Sequence, residues 1–196
     1  MVACVGFCGS PIIAANTIES ELLWLDRTSL SNSFQSKAHH LTNSISMTLL
    51  LVQAAASLYL MGLIWLIQIV HYPLMSQVSR ENFAQYEQLH SRWITPIVAI
   101  PMLIELACCI LLVVNRPPAI PAWLTWCGLA LVVVIWFSTF LLQVPCHTRL
   151  SQGFDAQIHA QLVSTNWIRT LAWSARAAVA MGMIYLFWKF TAQVIE

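Results

Sequence analysis

Charge is what this sequence holds least of. Its nine Lys and Arg and eight Asp and Glu make up 9% of 196 residues, against about 25% in an ordinary soluble domain. A chain that is also 59% hydrophobic has too little polar surface to face water on all sides. A surface facing lipid asks for none. With a net charge of +1 and no long basic run, nothing is available to neutralise a phosphate backbone, so nucleic acid is excluded as a partner. The basic segment that opens a signal peptide is missing. Six cysteines are present, yet no CxxC pair. Cys4 and Cys8 form an isolated CxxxC, while Cys108, Cys109 and Cys127 sit inside apolar runs. Neither a disulfide framework nor a zinc site is expected, and the thiols read as small apolar side chains.

What remains is apolar sequence in four blocks. Spans are expected at about 47–70, 93–114, 123–143 and 167–190. Each has roughly 20 residues or more, enough to cross about 30 Å of hydrocarbon as a helix. Lipid offers the backbone no hydrogen bonds, so at these lengths helix is the available form. Trp93, Trp123, Trp126, Trp167 and Trp188 fall near span ends, where indole rings prefer the headgroup level. The fold class follows: all-α, a four-transmembrane-helix bundle, with membrane lipids as its surroundings. Residues 1–46 are set apart by Ser, Asn and Thr and by Glu19, Glu21, Asp26, Arg27 and Lys37. They are expected either to form a largely irregular tail with one short helix or to lie upstream of a true start at Met47.

The connections are unequal. Residues 115–122, with Arg116, Pro117 and Pro118, make a tight turn. Residues 71–92 and 144–166 lie together on the opposite side. Phe83, Tyr86 and Leu89 in the first, and Phe154, Ile158 and Leu162 in the second, recur at helical spacing. Both stretches are therefore expected to be interfacial amphipathic helices. The long-loop side carries Arg80, Arg92, Arg149 and Arg169, which by the positive-inside rule favours the cytoplasm for those loops.

The two halves echo one another. Gln68, His71 and Pro73 close the first span; Gln143, Pro145 and His147 close the third. Arg92, Trp93, Ile94 and Thr95 are echoed by Asn166, Trp167, Ile168, Arg169 and Thr170. The expectation is two related helical hairpins about an axis along the membrane normal, with His71 and His147 at matching depth on one central cavity. A chance likeness between Trp-rich membrane segments is the alternative.

Several residues could carry chemistry. Glu105 lies about 18 Å along its helix from Trp93, near the midplane, where a charge must face inward and find a partner. Arg176 is expected to be that partner, either as an architectural pair or as part of a proton or substrate site. Asn166, Arg169, Trp173, Arg176 and Ala180 share one helix face. With Gln143, the first four are candidates for holding an anionic or quinone-like oxygenated ligand; helix packing is the alternative. His71 and His147 are candidate proton carriers alongside Glu105. His71, His90 and His147 all fall toward the long-loop side, and His159 is expected to be exposed. Three histidines with a carboxylate can bind a metal, and two on different helices can ligate haem; the alternative is interfacial hydrogen bonding, with no cofactor. Pro96 and Pro101 are expected to kink the second span and open a funnel toward the long loops.

Three short stretches carry a resemblance: His71-Tyr72-Pro73; Thr139 through Pro145 and His147 to Leu150; and Leu162, Val163, Asn166, Trp167, Arg169, Thr170 and Arg176. Across about 120 residues, from Gly62 to Met183, the chain resembles the small bacterial four-helix membrane families of unknown function and, distantly, the anthrone oxygenase-like group. It departs from that group at His147, where Asn is the commoner residue. The resemblance implies a bacterial inner-membrane location and a cofactor-poor oxygenase acting on a hydrophobic aromatic compound. Three functions are therefore carried forward: an oxidoreductase or oxygenase on a hydrophobic aromatic or quinone-like molecule, a small-anion or lipid binding or transport protein, and an accessory subunit without catalysis.

Overall fold

The computed structural model describes the backbone of residues 11–195 and the side chains of residues 35, 37 and 41–193. Residues 1–45 and 46–196 form separate compact units, and the site lies wholly in the second. Cys4, Cys8 and the side chains of the polar N-terminal stretch before Gln35 fall outside the described residues.

Among the described residues six α-helices and two π turns follow in order: α1 (Pro11–Leu66), a π turn (Ile67–His71), α2 (Tyr72–Met75), α3 (Arg80–Val114), α4 (Ala122–Ser138), a second π turn (Thr139–Gln143), α5 (Val144–Leu150) and α6 (Ala156–Ile195). They assemble into four continuous rods long and apolar enough to cross a membrane: Leu41–Met75, Arg80–Val114, Ala122–Leu150 and Ala156–Gln193. Among the described residues there is no strand. The chain is an integral membrane four-helix bundle. Leu103, Phe137, Leu141 and Leu171 stand exposed around the outside, as a lipid-facing belt requires.

The rods run alternately up and down. α3 packs on α4, α4 on α6, and α6 on the first π turn. Ser57 and Gln53 of α1 reach α3 at Glu105 and Cys109. The first and third rods, and the second and fourth, therefore face each other diagonally across the axis.

The expected interfacial helices are not separate elements. α3 is 35 residues long, about 52 Å at 1.5 Å per residue, and it reaches back through Trp93 to Arg80 without a break. α6 likewise begins at Ala156, where Asp155 Oδ1 accepts from the N–H groups of Gln157 and Ile158, a helix N-cap. The reason is packing. Phe83 meets Phe154 edge-on at 4.8 Å, the Arg80 guanidinium sits 3.5 Å over the Phe154 ring, and Leu150, Ile158 and Leu162 are buried beside them. The apolar faces cover one another instead of lying on lipid. The remaining loops are short, and in the second Gly153 takes φ +150, a conformation open to glycine.

Both π turns precede a proline. The Tyr72 N–H bonds Ile67 O and the Val144 N–H bonds Thr139 O, five residues back; Pro73 and Pro145 come next. A proline has no N–H to donate and its ring collides with the preceding turn. One widened turn absorbs both problems. Each π turn also turns a glutamine inward: Gln68 and Gln143 are buried. α3 remains helical through Pro96 and Pro101.

Candidate functional site

The buried polar residues are stacked along the axis from the midplane to the loop end. Depth is set by the tryptophans. Trp167 to Trp188 rises about 31 Å, the thickness of the hydrocarbon layer. Trp65 meets Trp167 edge-on at 5.6 Å. His71 lies just past Trp65, and His90 just before Trp93, so both sit at headgroup level.

The deepest layer joins the diagonal rods. Glu105 is 1% exposed. It accepts from Ser57 Oγ at 2.5 Å and Trp173 Nε1 at 3.2 Å, and Arg176 Nε stands 3.6 Å from it. Arg176 Nη2 donates to Cys109 Sγ at 2.9 Å. Room for this guanidinium comes from Gly128, where a Cβ would lie 3.3 Å from Arg176 Nη1. The expected meeting of Glu105 and Arg176 is thus present, with every Glu105 oxygen engaged. Trp173 and Arg176 are among the largest fully buried side chains and fill the axis here. The expected funnel gives way to a packed floor. A groove of about 240 Å³ between Leu141, Pro145, Cys146, Arg149 and Gln161 touches none of the candidate residues.

Above this floor is Arg169. It is 6% exposed, with its guanidinium 5.1 Å from the Trp173 ring. Its Nε has no partner. The ion pairs among the described residues are Glu87–His147 and Glu105–Arg176, so no carboxylate pairs with Arg169. Asn166 Nδ2 donates to Gln68 Oε1 at 2.7 Å, Gln68 Nε2 to Val163 O, and Gln143 Nε2 to Thr165 Oγ1 at 3.0 Å. The two π-turn glutamines both tie their rods to α6.

At the loop end the histidines converge. His71 stacks on His90 with centroids 4.3 Å apart, His90 lies 5.7 Å from His147, and Tyr86 and Tyr72 border the group. His147 Nδ1 stands 2.6 Å from Glu87 Oε1, which also accepts from Ser91 Oγ. Glu87 is 0% exposed. A carboxylate acceptor keeps the proton on Nδ1 and leaves Nε2 of the neutral ring as a base. His71 Nε2 and Glu87 Oε2 are buried without a partner. Among the described residues no group of three His, Cys, Asp or Glu side chains is placed to hold a metal ion.

Of the residues expected from sequence, His71, His90 and His147 come together. Asn166, Arg169 and Gln143 form the layer beneath, and Trp173, Arg176 and Glu105 the floor. Glu105 is about 22 Å along α3 from His90, so it does not join the histidines. His159 is half-buried rather than exposed, and its Nε2 lies 3.0 Å from Tyr72 O. Glu87 is not among the expected residues, because a glutamate in a polar connection is ordinarily solvated. One signal was available: Glu87 and His90 make a Glu-x-x-His, which places two ligand-type side chains on one helical face.

No family model, curated protein or solved structure matches the chain. The likeness to the anthrone oxygenase-like group thus has no independent support, and function has to be read from these side chains.

Proposed function

We propose that the chain is an integral-membrane oxidoreductase acting on a hydrophobic aromatic or quinone-like molecule that reaches the His147–Glu87 end of the bundle from the lipid. The observation that carries this is the 2.6 Å contact of His147 with a fully buried Glu87. A carboxylate that holds an imidazole by Nδ1 is the arrangement that aims Nε2 at a substrate proton. Beneath it, Arg169 has no carboxylate of its own and can stabilise an oxyanion in a water-poor setting. On a phenol-activated methylene, His147 Nε2 takes the proton from carbon and the electron pair passes to dioxygen. One oxygen atom ends as the product carbonyl, and the other leaves as water with the two hydrogens of the methylene.

Transport fits less well. Leu50, Leu112, Ile120, Leu124, Met183 and Phe187 form a buried apolar cluster at the end of the bundle opposite the histidines. The polar column is one-sided. Binding of a hydrophobic anion without turnover is the second reading, favoured by the unpaired Arg169. The same reading takes the bundle as two related hairpins, supported by the matched π turn and proline in the first and third rods.

The test is oxygen uptake by detergent-purified protein presented with hydrophobic phenols, quinols and aromatic ketones bearing an activated methylene. Turnover is expected, and Glu87→Gln and His147→Gln should each lower it by about 10²–10⁴-fold, the worth of general-base catalysis. Saturable binding that depends on Arg169 with no oxygen uptake would replace the oxidoreductase reading with the binding one.

A further inference from the structure

We infer that the groove between α5 and the start of α6 holds one anionic phospholipid of the surrounding membrane, with its phosphate on Arg149 and the head of an acyl chain along Leu141. The site is separate from the His147–Glu87 pair and does not depend on the reaction proposed above.

The groove carries two kinds of surface. Leu141, Leu142, Pro145 and Ile158 make most of it apolar; Arg149 and Gln161 add a cation and an amide. Its volume of about 240 Å³ is room for roughly eight groups of water or methylene size, at about 30 Å³ each. Leu141, Pro145, Arg149 and Gln161 are all exposed, so the groove is open to whatever surrounds the bundle.

Depth identifies those surroundings. From Trp123 to Gln143 the third rod rises about 30 Å, one hydrocarbon thickness. Leu141 therefore lies just inside the acyl region. Arg149 stands about 9 Å past Gln143, and Gln161 about 9 Å before Trp167 on α6, which puts both at the level of the phosphates. One groove thus runs between the two levels, with its leucines at the acyl end and its guanidinium at the phosphate end. A small free anion would leave the apolar part uncovered. A phospholipid matches both parts.

Charge narrows the class further. The ion pairs among the described residues leave Arg149 without a carboxylate, and a guanidinium suits a phosphate through two parallel N–H bonds. No acidic side chain lines the groove, so an ammonium headgroup would find no counter-charge there. A headgroup ending in hydroxyls, as in phosphatidylglycerol, finds the Gln161 amide as donor and acceptor.

The full chain, purified in detergent and stripped of lipid, is titrated with phosphatidylglycerol or phosphatidylethanolamine, and bound lipid is counted by native mass spectrometry. One phosphatidylglycerol should be retained per chain, with phosphatidylethanolamine several-fold weaker. Arg149→Gln should weaken phosphatidylglycerol binding by about tenfold or more, the worth of a charge-assisted hydrogen bond, and Arg149→Lys should recover part of the loss. Arg92→Gln, which removes an exposed arginine outside the groove, should leave binding unchanged. Phosphatidylglycerol should also raise the melting temperature of the parent and have a smaller effect on Arg149→Gln. Arg149 is exposed, so its substitution does not put folding at stake. Equal loss of lipid from Arg149→Gln and Arg92→Gln, or no preference between the two lipids, means a non-specific lipid shell and overturns the site. Displacement of the lipid by equimolar glycerol 3-phosphate would make the groove a plain anion site. A dimer that Arg149→Gln dissolves would make it an interface between copies. Either result removes the phospholipid.

Discussion

Glu87 and Glu105 are both fully buried, and their surroundings give them different work. Glu105 has Ser57, Trp173 and Arg176 around it, and nothing remains for a ligand to take. It joins diagonal helices. Breaking a buried pair leaves one charge uncompensated, at a cost of about 3–5 kcal/mol. Glu105→Gln and Arg176→Gln are therefore each expected to lower the melting temperature in detergent sharply. The double variant should be less destabilised than the sum of the two, which a double-mutant cycle reads directly. Gly128→Ala tests the same site sterically. Its new Cβ meets a guanidinium 3.3 Å away that Cys109 and Glu105 already hold. Overpacking of about 1–3 kcal/mol should outweigh the roughly 1 kcal/mol gained in helix propensity, so the variant should melt below the parent. Glu87, by contrast, keeps one oxygen free. Substituting it should affect turnover first.

At the level of elements, the two π turns decide which residues face the axis. Each widened turn inserts one residue into an otherwise α-helical rod. Removing that residue returns the rod to α geometry and leaves the flanking faces in register. Deleting Phe140, which faces outward in the second π turn, should yield folded, monodisperse protein with His147 still directed at Glu87. Deleting Val133, in the regular part of α4, rotates everything beyond it by about 100°. That should abolish folding. Size-exclusion profiles and thermal melts of the two deletions separate these outcomes; equal damage from both would remove the π turn's role. The helices themselves were legible from apolar length and tryptophan placement. Their extension beyond the membrane was not. Whether Phe83 and Ile158 lie on lipid or on each other depends on the partner face, and the same amphipathic pattern serves both.

For the molecule as a whole, the buried polar residues reach the histidine end of the bundle, and an apolar cluster fills the other. Ser79→Cys and Gln152→Cys, in the two loops that close the histidine end, should react with a membrane-impermeant maleimide from the same side of sealed vesicles, and Pro118→Cys only from the other. The described native cysteines are buried apart from Cys127, which faces outward among the apolar residues of α4. Labelling of the two loops from opposite sides would contradict the up-down bundle. By itself the sequence determined that this is a membrane protein with four helical spans, that Glu105 must find Arg176, and that the face bearing Asn166, Arg169, Trp173 and Arg176 points inward. Scarcity of charge makes an ion inside an apolar span conspicuous, and helical periodicity fixes its direction; Glu87, in a polar connection, carried no such signal. Only the tertiary structure decided that His147 is held by Glu87, that Arg169 is left without a carboxylate, and that the floor is packed. Those are relations between separate rods, set by how their faces interlock and not by spacing along any one of them.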